Sequence, residues 1–268
     1  MNTSILLVGC GRMGSAMLRS WTSASVVVIE PHPVADLPIG VVQYHDLPSY
    51  LAAAASAGQM PAPDLVIFAV KPQVIDEVVP AYAVFSRTTF LSIAAGKTLA
   101  VFERHLGPDA AIVRAMPNTP AAIGQGITVC VANKHVRPTG HMLVTGALKA
   151  GGAVEWVQDE AQMDAVTALS GSGPAYVFLL VEVMANAGIA MGLPADLAMK
   201  LARQTVIGSG HLLQQSPALS AASLRESVTS PGGTTAAALA VLQEQGALVA
   251  LFENALKAAQ ARSQALAG

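Results

Sequence analysis

Charge is scarce in this chain. Only 12% of its 268 residues are Asp, Glu, Lys or Arg, 53% are apolar, and the mean hydropathy is +0.50. So little charge does not comfortably clothe two separate monomeric domains, which predicts that apolar surface is buried against another copy. Neither sign dominates: the net charge is −2 and the pI is near 6.3, leaving no basic footprint for nucleic acid. Two cysteines, Cys10 and Cys130, are too few for a disulfide framework. They suit a reducing compartment, so a cytoplasmic protein is expected. The six histidines and two cysteines show no metal-ligand spacing, so no metal is expected. A charged leader is missing too, since the chain runs straight into Ile5-Leu6-Leu7-Val8, and no secretory signal is read there. The most apolar long stretch, residues 175–193, is interrupted by Glu182 and Asn186 and punctuated by Gly188 and Gly192. It reads as a helix buried in a soluble oligomer, with no membrane partner.

What is present begins with a strand, Ser4–Val8, followed at once by Gly9-Cys10-Gly11-Arg12-Met13-Gly14 and the helical run Ser15–Trp21. This is G-x-G-x-x-G with a strand before it and a helix after it. The first glycine makes a tight turn, the second lets a pyrophosphate approach the backbone, and the third lets helix pack on strand. A second strand, Val26–Ile29, ends at Glu30, 21 residues after Gly9, where an acid can accept hydrogen bonds from an adenosine ribose. No Arg or Lys follows before Lys71, which tilts the reading toward NAD. Backbone donors, or a side chain such as His32, remain an alternative holder for a 2′-phosphate. Glu30 itself can equally be a solvated acid at a strand end.

Further apolar strands are expected at 64–72, ending at Pro72, at Thr89–Ile93, at Ala111–Met116 and at Ile127–Ala132, with a last edge at Val154–Val157. Strands separated by helix-length segments predict right-handed crossovers and a mostly parallel sheet. Ligands of such sheets sit off the carboxyl ends of the strands. Ala69, Val70 and Lys71, then Ile93, Ala94, Ala95 and Gly96, then Pro117 and Asn118, are therefore expected to line one crevice, with Pro72 counted among the cofactor-binding residues beside them. The small residues would leave room for a flat ring and Asn118 would offer an amide; the alternative for Lys71 and Asn118 is a strand-end cap. From Asp159 the pattern becomes helical: Glu160–Leu169, Pro174–Met191, Ala195–Leu213, Ser220–Glu226 and 235–267. Two domains are expected, residues 1–158 binding a dinucleotide and residues 159–268 helical and dimerising.

Within that second half, Ser230-Pro231-Gly232-Gly233-Thr234-Thr235 stands immediately before a strong helix former, Ala236–Leu242. A helix start leaves N–H groups unpaired and favours negative charge. Gly232 and Gly233 let a ligand approach the main chain, and Ser230, Thr234 and Thr235 add hydroxyls. Together they suit a small carboxylate; the alternative is an ordinary cap. Ser170-Gly171-Ser172-Gly173-Pro174 lacks the spacing of a serine nucleophile and reads as a turn starting the next helix.

In order along the chain, these segments resemble pyrroline-5-carboxylate reductases. The resemblance covers nearly the whole length and rests on Gly9–Gly14, Ala69-Val70-Lys71-Pro72-Gln73, Ser92–Gly96, Arg114–Pro120, Thr167–Tyr176 and Val228–Thr235. The last two are the specific ones. It implies an N-terminal Rossmann-like domain, then an all-helical domain interleaved with that of a second subunit, with higher assemblies of dimers also known. It implies reduction of (S)-1-pyrroline-5-carboxylate to L-proline, the last step of proline biosynthesis, usually with NADPH and sometimes NADH; Glu30 leaves NADH open. Arg12 and Met13 would join the glycines at the cofactor. The turn at 230–235 would hold the substrate carboxylate, and Thr235 would hydrogen-bond the ring nitrogen. Two other readings remain: a reductase of another small carboxylated imine or keto acid, and a non-catalytic nucleotide-binding regulator.

Overall fold

The structure, a computed structural model, describes residues 3–19, 21, 24–58 and 62–266. Eight strands form one sheet: β1 (Ser4–Val8), β2 (Ser25–Ile29), β3 (Val42–Tyr44), β4 (Leu65–Phe68), β5 (Thr89–Ser92), β6 (Ala111–Met116), β7 (Gly126–Ala132) and β8 (Gly152–Trp156). Their spatial order is β3-β2-β1-β4-β5-β6-β7-β8, and every pair is parallel except β6 with β7. The order of the first six strands is that of a doubly wound dinucleotide-binding sheet, as the alternating pattern predicts.

Parallel strands covered on both faces must be apolar at every position. Leu65, Val66, Ile67 and Phe68 satisfy this, each wholly buried. Successive side chains point to opposite faces. Leu6 and Val8 join one core layer with Phe68, Phe90 and Phe102, whereas Ile5 and Leu7 join the other with Leu18, Ile67 and Val113. Phe68 anchors the first layer, stacked 6.1 Å from Phe90 and 6.0 Å from Phe102, with Tyr82 edge-on at 5.3 Å.

The α-helices are α1 (Arg12–Leu18), α2 (Leu47–Ser56), α3 (Ile75–Val78), α4 (Leu99–Leu106), α5 (Pro138–Leu148), α6 (Met163–Val166), α7 (Gly173–Ala190), α8 (Ala195–Gln215), α9 (Ala221–Ser227), α10 (Thr234–Gln243) and α11 (Ala247–Leu266). The expected strand at 64–72 is shorter than its apolar run. It leaves the ladder after Phe68, and Ala69 makes one last bond, its N–H to the Val8 carbonyl at 2.7 Å. The single helix expected at 235–267 is two: Gln245 (φ 50°) and Gly246 (φ 73°) turn left-handed between α10 and α11. Residue 267 lies outside the described residues.

Two compact units result, residues 1–171 with 259–268, and residues 172–258. The switch from strands to helices falls near the expected 158/159, whereas packing divides the chain at 171/172. In the first unit Ser263 on α11 donates to Asp164 on α6 at 2.6 Å. In the second, α7 meets α8 through small residues: Ala185, Ala198 and Ala202 are buried, and a Cβ on Gly188 would lie 3.3 Å from that of Ala198. The large side chains of this unit point outward instead, Phe178, Leu179, Val183, Val249 and Leu251 among them. Two stretches, Glu160–Ala190 and Thr234–Leu266, are long and apolar enough by length and composition to cross a membrane.

Candidate functional site

The Gly-rich turn has the three-part geometry its sequence demands. Gly9 sits at φ 87° directly after β1. A Cβ there would stand 2.8 Å from Val70 Cγ1 and 2.9 Å from the Ala69 carbonyl carbon, so the turn lies against the end of β4. A Cβ on Gly14 would lie 2.8 Å from the Gly9 carbonyl oxygen, which presses α1 onto the turn. At Gly11 nothing stands within 4 Å of that position. No side chain caps α1, so its first N–H groups face this opening without a side-chain partner. Two glycines needed for close packing and one facing open space fit a dinucleotide pyrophosphate.

Register places the remaining strand ends on the same edge. Val8 pairs with Phe68, Phe68 with Ser92, and Ser92 with Arg114. Ala69–Pro72 and Ile93–Gly96 therefore leave the sheet beside the turn, with Lys71 exposed and Ala94 buried. Gly96 has a different use from the one expected. At φ 74°, its missing Cβ makes room for the Leu266 backbone on α11, 3.1 Å away, and not for a ring. Asn118 likewise works inside the protein: its Oδ1 accepts the Ile127 N–H at 3.0 Å, and its Nδ2 donates to the Ser170 carbonyl at 3.2 Å. These two bonds are those of a strand-end strut.

Ser170 lies in a π-helical turn, Thr167–Gly171, that precedes α7. A widened turn shifts carbonyls away from their usual helical donors, and the Asn118 amide meets one of them. Gly171 follows because a Cβ there would stand 2.5 Å from Met116 Cε. The Ser-Gly-Ser-Gly-Pro turn does start α7, with Pro174 in its first turn, but the π turn before it has no sequence signal of its own. Sequence reading also missed the ion pair between Arg114 and Glu160. Arg114, 4% exposed, donates to Glu160 Oε1 at 3.0 Å, and the same oxygen accepts the Leu99 N–H that starts α4.

Glu30 is held from several directions. Its Oε2 accepts the Cys10 N–H at 3.0 Å, and its Oε1 accepts the His32 N–H at 3.2 Å with His32 Nδ1 at the same distance. Burial alone would push this carboxyl up; the bonds from Cys10 and His32 outweigh it and hold it below its ordinary value. Cys10 and Cys130 are both buried. Burial pushes the Cys130 thiol up to about 12, so it stays protonated near neutral pH.

In the second unit, residues 228–233 lead into α10 as expected. The Gly233 N–H bonds the Ser230 carbonyl at 3.1 Å, and Gly232 occupies φ 71°, closed to most side chains. A Cβ on Gly233 would stand 2.5 Å from Ser230 Oγ. No side chain caps α10, whose N-cap is Gly233, so the first N–H groups of this ten-residue helix have no side-chain partner. Thr235 is half-buried in its first turn and Thr234 is exposed.

Known proteins are similar to this chain along nearly its whole length. The family described as pyrroline-5-carboxylate reductase dimerisation matches residues 160–266. A pyrroline-5-carboxylate reductase of Synechocystis sp. is 38% identical over 99% of this chain and 99% of its own. The solved structure of one from Coxiella burnetii is 34% identical, covers 100% of both chains and superposes with a TM-score of 0.88. The pyrroline carboxylate reductase of Plasmodium falciparum, solved with NADP bound, is 28% identical over 100% of this chain and 99% of that one, with a TM-score of 0.81.

Proposed function

The chain belongs to the pyrroline-5-carboxylate reductase family, and on that footing we propose that it reduces (S)-1-pyrroline-5-carboxylate to L-proline, the last step of proline biosynthesis, with a nicotinamide dinucleotide. The observation that carries this is the uncapped, glycine-walled start of α10, which suits a carboxylate, on a chain that also has a G-x-G-x-x-G turn. Gly9, Gly11 and Gly14, with Arg12 and Met13 beside them, would cradle the pyrophosphate. Ala69–Pro72 and Ile93–Ala95 would border the ring from the strand ends. When bound, the nicotinamide supplies the hydride for the new C–H bond. The protein's share is placement: N–H groups of the 230–235 turn hold the carboxylate, and the Thr235 hydroxyl holds the ring nitrogen that ends protonated. Positioning of this kind accounts for most of the acceleration such a site needs.

A homo-oligomer is the state of this family, and the exposed apolar faces of α7, α8, α10 and α11 suit a homodimer built through them. Dimers can assemble further. Burial there also accounts for the two membrane-length apolar stretches in a soluble cytoplasmic enzyme. The residue division at 158/159 follows the same reading, because the matched dimerisation segment begins at residue 160.

The test is to add pyrroline-5-carboxylate to the protein with NADH or NADPH and follow the absorbance of the reduced nicotinamide while assaying L-proline. Oxidation matched by proline supports the reading; no oxidation with either cofactor overturns it. Thr235→Ala should lower kcat by about 10- to 100-fold, as expected for a lost proton-handling or orienting hydroxyl, with cofactor binding nearly unchanged. Equal losses in both would make Thr235 a structural cap.

A further inference from the structure

Beyond β2, the chain makes an unusual turn for a site that would take a phosphorylated ribose. A phosphate held at such a place needs donors from backbone N–H groups, hydroxyls or cationic side chains. From Glu30 to Val34 every backbone donor is accounted for. The Glu30 N–H bonds the Tyr44 carbonyl at 3.0 Å, that of His32 bonds Glu30 Oε1 at 3.2 Å, and that of Val34 bonds Gln43 Oε1 at 3.0 Å. Residues 31 and 33 are prolines and have no N–H to give.

The same network fixes the segment in place. Gln43, on β3, donates from Nε2 to the carbonyls of Glu30 at 2.8 Å and His32 at 2.7 Å, while its Oε1 takes the Val34 N–H. Rearranging the turn to free a donor would break several of these bonds together. No Lys or Arg occurs between residues 31 and 70, and the His32 ring already faces the Glu30 carboxylate. What the segment does offer is an acceptor, since Glu30 Oε2, which takes only the Cys10 N–H, keeps room for a further hydrogen bond.

Taking the Gly-rich turn as the cofactor site, we propose that this chain selects NADH over NADPH, with Glu30 Oε2 accepting from a ribose hydroxyl and the segment Glu30–Val34, whose backbone donors are all taken, refusing a 2′-phosphate. The proposal rests on the proposed reading of that turn and concerns the adenosine end of the cofactor alone. Two charges of the same sign would meet there if NADPH bound in the same pose, because Glu30 stays ionised near neutral pH. The Gln43 clamp is the positioning device that keeps Pro31–Val34 in this state.

Equilibrium titration of the purified protein with NADH and with NADPH, read by quenching of tryptophan fluorescence and without imine present, tests this directly. NADH should bind about tenfold tighter or better, and Glu30→Gln should narrow the ratio by about the same factor while keeping an acceptor for the Cys10 N–H. Equal or tighter binding of NADPH by the unaltered protein overturns the proposal, and that comparison needs no variant to fold. A ratio left unchanged by a folded Glu30→Gln protein also overturns it. Arg12 is the other cation of the turn; if Arg12→Gln alone removes NADPH binding that rivals NADH, the charge is read there and the proposal fails. Selective NADH binding without turnover of pyrroline-5-carboxylate would leave this selectivity standing and remove the proposed reaction. Binding of neither dinucleotide would remove both.

Discussion

Gly9 and Gly11 stand two residues apart and are glycine for opposite reasons. At Gly9 the backbone is left-handed and a Cβ would press on Val70 and Ala69; at Gly11 φ is −70° and the space is open. Gly9→Ala should therefore cost about 1–3 kcal/mol of stability, from backbone strain and forced contacts. Gly11→Ala should shift stability by less than about 0.5 kcal/mol yet weaken NADH binding, because its methyl would stand where the pyrophosphate approaches. Thermal unfolding with and without NADH separates the two; a destabilised Gly11→Ala that still binds normally would contradict the assignment. This much was legible in the sequence, since a strand, three glycines at fixed offsets and a helix are one local pattern. The network at Glu30 was not. Its position just past the end of β2 could be read from spacing, but its bonds to Cys10 and the clamp by Gln43 depend on a strand, β3, only three residues long and without a periodic signal.

Between elements, the struts are polar and few. Asn118 joins the end of β6 to the start of β7 through Ile127 and to the π turn through Ser170. Asn118→Ala would leave a half-buried N–H and carbonyl unpaired, so chemical denaturation should show a loss of about 1–3 kcal/mol. Unchanged stability with a loss of cofactor affinity would instead return Asn118 to the role of a ligand contact. Elsewhere Asp76, at the start of α3, accepts from Lys97 Nζ at 2.6 Å and faces His105 Nε2, near the end of α4, at 2.9 Å. Hydrogen bonds from Lys97, then His105, hold its carboxyl down at about 2. A carboxyl lowered in the folded state contributes stability above its unfolded value, and that contribution fades as pH falls through the folded one. The stability difference between the protein and Asp76→Asn should thus be level above about pH 5 and shrink toward zero near pH 2. A difference unchanged down to that pH would show that the carboxylate charge does not matter. The sequence carried the helices of this scale better than their joints. Composition marks 235–267 as helical throughout, whereas the break at Gln245–Gly246 is set by two left-handed backbone positions within an otherwise unbroken helix-forming run.

At the scale of the whole molecule, little charge and much outward apolar surface are one fact seen in sequence and in structure. The α7–α8 seam uses Ala and Gly for close approach, leaving Phe178 at 66% exposure in the single chain. Light scattering should therefore report at least a dimer of the 27.4 kDa chain, and Phe178→Glu should shift it toward monomer without unfolding the sheet-bearing unit. A monomer in the unaltered protein would contradict the homo-oligomer. The proposed function depends on a dinucleotide held by the Gly9–Gly14 turn and a carboxylate held by residues 230–235. A crystal structure of the protein with NAD and L-proline measures this most directly. The proline carboxylate should lie on the N–H groups of residues 230–235, with its ring nitrogen on the Thr235 hydroxyl. A carboxylate anchored anywhere else would contradict it.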